Sequence, residues 1–184
     1  LGGDEFVVIL PGLDPAHATF EVMTVLQRVR ESFQASFRLA DQTPEALGEI
    51  ALRVAREAGA LALGGFRRPM NVAEKGVRDL VTEFDLASER LIRARLTELT
   101  PLIPVVGEEE GGDPAASLVW YCDPIDGTTN YAHGHPVWCV SVGVMEGETP
   151  LAGAVVAPAL GIEWTGHSGG IATRNGERCA VSDT

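Results

Sequence analysis

Asp123-Pro124-Ile125-Asp126-Gly127-Thr128-Thr129-Asn130 puts two carboxylates three residues apart and follows them with a glycine and two hydroxyls. A hard divalent cation takes oxygen ligands. Asp123 and Asp126 supply charged ones, and the Ile125 carbonyl adds a neutral one. Gly127 lets the main chain approach a ligand closely. Thr128 and Thr129 add hydroxyls, and at a helix start their N–H groups favour an anion. Cation, phosphate and a positioned water thus converge on one short stretch, the chemistry of phosphate-ester hydrolysis.

Two further acidic elements lie upstream. Val105-Val106-Gly107-Glu108-Glu109-Glu110-Gly111-Gly112 reads as a strand running into a glycine-rich acidic loop. Asp79-Leu80-Val81-Thr82-Glu83-Phe84-Asp85 leads into a helical pattern that reaches Leu99. Each has a plainer reading when taken alone. Glu108–Glu110 reads as a solvated loop, Asp126-Gly127 as a turn, and Thr82 with Asp85 as a helix cap. Only a shared site asks all three segments to meet.

In order, spacing and surroundings, these three motifs resemble the inositol monophosphatase family, over about Thr43 to the end of the chain. The resemblance implies magnesium as cofactor, held by Glu108, Asp123, the Ile125 carbonyl and Asp126. Asp123 would bridge two ions, with Glu108 on the first and Asp126 on the second. Glu108 and Thr128 would orient the attacking water, and Asp85 would accept the Thr128 hydroxyl. Gly127 and Thr128 would hold phosphate oxygens through their N–H groups, and Lys75, just before Asp79, would reach the phosphate. The expected substrate is a small phosphorylated polyol or sugar, and a homodimer is the family's common form. The family also has a C-terminal layer whose Trp-Asp motif completes the second metal site. No Trp-Asp pair occurs in this sequence, so the expectation is weak magnesium binding at the first site and activity strongly reduced or absent in this chain.

The elements around the motifs suit an α+β fold. Thr43 is placed as an N-cap, Pro44 as the first helical residue, and Leu47, Ile50, Ala51, Val54, Ala58, Leu61 and Ala62 as an apolar stripe ending at Gly64-Gly65. Strand-like runs follow at Val137–Val144, Leu151–Ala157 and Gly161–Trp164, separated by turn residues. The pattern predicts paired helices packed on a mostly antiparallel sheet. Residues 1–41 read differently. Gly2-Gly3-Asp4-Glu5-Phe6, a strand to Leu10, and a helical pattern to Phe37 resemble the signature segment of GGDEF-type diguanylate cyclases. The expected organisation is a cyclase-like fragment over 1–41 and a phosphatase-like region over 42–184.

Composition excludes several classes. A chain of 184 residues with 45% hydrophobic and 22% charged residues is an ordinary globular one. No apolar run approaches a membrane span, and no secretory signal opens the sequence. A formal net charge of −12 argues against nucleic acid and anionic membranes as partners. Cys122, Cys139 and Cys179 show no CxxC spacing and read as buried, reduced thiols of a cytoplasmic protein. His133 and His135 flank the motif, but magnesium prefers oxygen, so neither is expected as a ligand.

Overall fold

The computed structural model describes residues 42–76 and 79–180, without the side chains of 74–79. The GGDEF-like segment, Val181-Ser182 and the Lys75 side chain therefore lie outside the described residues. The chain divides into two units at Asp41/Gln42, and the fold below is that of the second.

Helix α1 (Pro44–Gly65) starts where the sequence places it: Thr43 Oγ1 accepts the Ala46 N–H at 3.2 Å, and Pro44 occupies the first turn. Strands β1 (Val72–Gly76) and β2 (Asp79–Thr82) form a small antiparallel hairpin that the sequence did not announce. Helix α2 (Glu83–Leu99) starts directly after Thr82, because Thr82 and Asp85 close a capping box at its first turn.

A seven-stranded sheet follows: β3 (Val105–Gly107), β4 (Leu118–Asp126), β5 (Cys139–Glu146), β6 (Thr149–Ala157), β7 (Ile162–His167), β8 (Thr173–Arg174) and β9 (Glu177–Arg178), paired in that order. Only β3 and β4 run parallel; every other pair is antiparallel. A five-residue helix α3 (Thr128–Ala132) sits between β4 and β5. The architecture is α+β, as expected.

Both helices lie on one face of the sheet, α1 over β5 to β7 and α2 over β3 and β4, and they also pack on each other. Leu47, Val54 and Ala58 of α1 and Ile92 and Leu96 of α2 meet Trp120, Val140 and Val142 of the sheet in one buried core. Small residues dominate the buried stripe of α1, which lets the helix lie close to the strands. A second cluster joins Ala62, Ile125, Tyr131 and Trp138. There the Tyr131 and Trp138 rings meet edge to face at 4.9 Å, and the Tyr131 hydroxyl donates to the Ala62 carbonyl at 2.7 Å. This ties the segment after β4 to the end of α1.

The other face of the sheet carries an open groove of about 1030 Å³. Tyr121, Met145, Leu151, Val155 and Trp164 line its length, and Glu108 and Asp123 stand in its wall. Among the described residues no helix is long and apolar enough to cross a membrane.

Candidate active site

The acidic motif occupies the end of β4 rather than a free loop. Pairing with β5 stays in register from Leu118 to Asp123 and then slips, so that Asp123 faces Ser141 but Asp126 faces Cys139. Pro124 cannot donate to the ladder, and the irregularity turns the strand end away from regular alternation. The Asp123 carboxylate folds back to accept the Ile125 N–H at 3.1 Å. Gly127 follows with φ 95°, in the left-handed region. A Cβ there would also stand 3.1 Å from the Val137 carbonyl oxygen, so both conformation and space call for glycine.

Thr128 links this turn to α2. Its Oγ1 lies 2.9 Å from Asp85 Oδ1 and 2.9 Å from the Ile125 carbonyl oxygen. A hydroxyl has one proton, so it donates to one of these acceptors at a time. Asp85 is fully buried, and its Oδ2 accepts both the Thr82 N–H at 2.8 Å and the Thr82 hydroxyl. The cap reading of Thr82 and Asp85 holds, and Asp85 also meets Thr128: one oxygen closes the helix, the other takes the Thr128 hydroxyl.

Glu108 reaches the same place from the β3 end, where its carboxyl shares a hydrogen bond with that of Asp123. Burial first, then the charge and hydrogen bond of Glu108, then the charge of Asp126 push the Asp123 carboxyl up to about 7; the Ile125 N–H opposes them. In EDTA the folded protein therefore keeps a proton on Asp123 that the unfolded chain gives up at about pH 4. The stability from that proton is complete below about pH 4 and is lost as pH rises through about 7. The melting temperature in EDTA is expected to fall over this window more steeply than that of Asp123→Asn. Parallel melting curves for the two proteins would refute it.

The donor set suits a hard cation in kind, and its mutual repulsion is what a cation would relieve. Among the described residues, however, no three His, Cys, Asp or Glu side chains form a ready-made cage. Glu108 and Asp123 are a pair that Asp126 adjoins, and an ion there would also draw on the Ile125 carbonyl and water. His133 instead places its Nδ1 2.8 Å from the Thr129 carbonyl oxygen.

All three cysteines are free, but only Cys122 is buried; Cys139 and Cys179 are half-buried, which corrects the expectation of three buried thiols. The short strands β8 and β9 at the sheet edge leave Cys179 partly covered. Cys139 Sγ lies 3.7 Å from Asp126 Oδ2, and burial and that carboxylate push its thiol up to about 11. Burial and Glu89 likewise raise Cys122 far above neutrality. Neither supplies a thiolate nucleophile at neutral pH.

Two residues at the site escaped the sequence reading. Glu89 and Arg93 of α2 form an ion pair, with Arg93 Nε 2.9 Å from Glu89 Oε1, directly behind the Glu108 loop. A surface i, i+4 pair looks the same in sequence. The available signal was position: Glu89 shares the buried face of Asp85, Ser88, Ile92 and Leu96.

Paired helices on a mostly antiparallel sheet, with carboxylates at the bulged end of β4, form the fold class of solved inositol monophosphatases. The structure titled IMPase of Thermotoga maritima matches with a TM-score of 0.67 and 35% identity, covering 71% of this chain and 52% of that one. The chain belongs to the inositol monophosphatase family, whose sequence model matches residues 43–184. Among curated relatives, "Fructose-1,6-bisphosphatase/inositol-1-monophosphatase" of Aquifex aeolicus is 41% identical over 114 residues, which are 61% of this chain and 43% of that protein. "Inositol monophosphatase 1" of Solanum lycopersicum is 39% identical over 138 residues, which are 72% and 50%. The chain thus spans about half the length of the curated relatives it matches.

Proposed function

We propose that the whole protein is a magnesium-dependent phosphomonoesterase acting on inositol monophosphate or a similar small sugar phosphate. The observation that carries this reading is the pairing of Glu108, just after β3, with Asp123 of β4, with Asp126 adjoining, beside a Thr128 hydroxyl held by Asp85. Glu108, Asp123, the Ile125 carbonyl and Asp126 would hold magnesium, which when bound offsets the phosphate charge and makes a water more acidic. Thr128, with its hydroxyl donating to Asp85, would present lone pairs to that water and so orient it with Glu108. The N–H groups of Gly127 and Thr128 would hold the phosphate, and Lys75 would add a cation to it. The raised thiols of Cys122 and Cys139 favour attack by water over attack by cysteine.

The segment 1–41 is proposed as a GGDEF-like fragment, since the family match begins only at residue 43. A cytoplasmic homodimer is the proposed setting. A non-catalytic, metal-binding remnant is the alternative for this chain.

Isothermal titration with Mg²⁺ tests the site. Asp123→Asn is expected to weaken binding by at least about tenfold, and equal heats for the two proteins would reject it. Magnesium-dependent phosphate release from inositol 1-phosphate by the full reading frame tests the activity. Its absence there would leave the non-catalytic alternative.

A further inference from the structure

We propose that Glu89 and Arg93 are positioning residues that set where Glu108 stands, a reading that rests on Glu108 being a cation ligand. Glu89 is completely buried, and its carboxylate faces the Glu108 loop. Its Oε2 accepts the Glu109 N–H at 2.6 Å, and its Oε1 accepts the Glu110 N–H at 2.9 Å. On the other side of Glu108, Gly107 leaves room for that carboxylate: a Cβ there would lie 2.2 Å from Glu89 Oε1. The main chain on both flanks of Glu108 is therefore seated against one carboxylate.

Arg93 completes the clasp. It pairs with Glu89 and donates to the Val105 carbonyl at 2.9 Å and to the Gly111 carbonyl. Gly111 also accepts the Gly107 N–H at 2.9 Å, which closes the loop at its base. The clasp also sorts the loop's acids. Glu110 turns back to Arg90 at 2.9 Å and Arg93 at 3.7 Å, whereas Glu108 meets Asp123. Stability alone does not call for this arrangement, because an apolar pair of similar volume at a buried site is often as stable or more so. What the charged pair adds is a set of directional bonds to the loop main chain, as the partners behind metal ligands do elsewhere.

The test is Mg²⁺ titration of the full chain carrying Glu89→Gln, Arg93→Lys or Glu108→Gln, and of each clasp variant combined with Glu108→Gln. Melting curves identify the variants that fold. Arg93→Lys keeps the charge but cannot reach Glu89 and both carbonyls at once, so it serves if Glu89→Gln does not fold. Each clasp variant is expected to weaken Mg²⁺ binding about 10- to 100-fold and to add no further loss once Glu108 is glutamine. Hydrogen exchange at the Glu109 and Glu110 amides is expected to quicken in Glu89→Gln. If Glu108→Gln weakens binding and a folded clasp variant does not, the positioning role is overturned while the metal site stands. Clasp losses that persist undiminished in the Glu108→Gln background also overturn it. If Glu108→Gln itself leaves binding unchanged, the metal reading falls, and the inference with it.

Discussion

Trp120→Ala is expected to lower folding stability by about 3–5 kcal/mol. Trp120 is fully buried between the two helices and the sheet. Its indole Nε1–H donates to Thr100 Oγ1 at 2.9 Å, and the Thr100 hydroxyl in turn donates to the Leu96 carbonyl at 2.8 Å. The substitution opens a cavity in the core and removes the donor that holds the end of α2 to β4. Against a typical total of about 5–15 kcal/mol, this is a large share. Urea unfolding reads it as a lower midpoint at an unchanged slope. Trp120→Phe keeps most of the volume and is expected to lose far less. A loss below about 1 kcal/mol for the alanine variant, within the range of surface changes, would show that the residue is not a core anchor.

The second large effect is expected for Arg93→Met, at about 3–5 kcal/mol, because it leaves the Glu89 carboxylate buried without its cation. The Val105 and Gly111 carbonyls lose a donor at the same time. Arg90→Met provides the contrast. Arg90 pairs with Glu110 at 2.9 Å, but its side chain is 67% exposed. Exposed pairs contribute about 0.2–1 kcal/mol, so that variant should unfold close to the parent. Similar midpoints for Arg93→Met and Arg90→Met in urea would refute the distinction.

The parts of the site that were legible in the sequence are those whose chemistry restricts residue type. Asp123, Asp126 and Gly127 combine oxygen donors with a left-handed glycine, and few other purposes ask for both in one short stretch. The Asp85 link to Thr128 came from the family resemblance, and the structure shows the contact. Helix α1 was legible because Thr43, Pro44 and the apolar stripe all point the same way. The bulge in β4 was not, since it depends on the register with β5, which the residues of β4 alone do not fix. Hairpin β1–β2 was missed because Val72-Ala73-Glu74-Lys75-Gly76 has no clear alternation and pairs only with its neighbour. Glu89 was missed because a charged residue four positions from an arginine reads as solvated until the packing around it is known.

Asp85 fastens the first turn of α2 with one oxygen and Thr128 with the other, so the helix start cannot open without loosening the threonine. Fraying at this helix terminus therefore carries release of the threonine from Asp85 with it. The lifetime of the ordered hydroxyl can then be no longer than the interval between openings of the helix's leading turn, which makes local breathing of the scaffold a clock for the pocket.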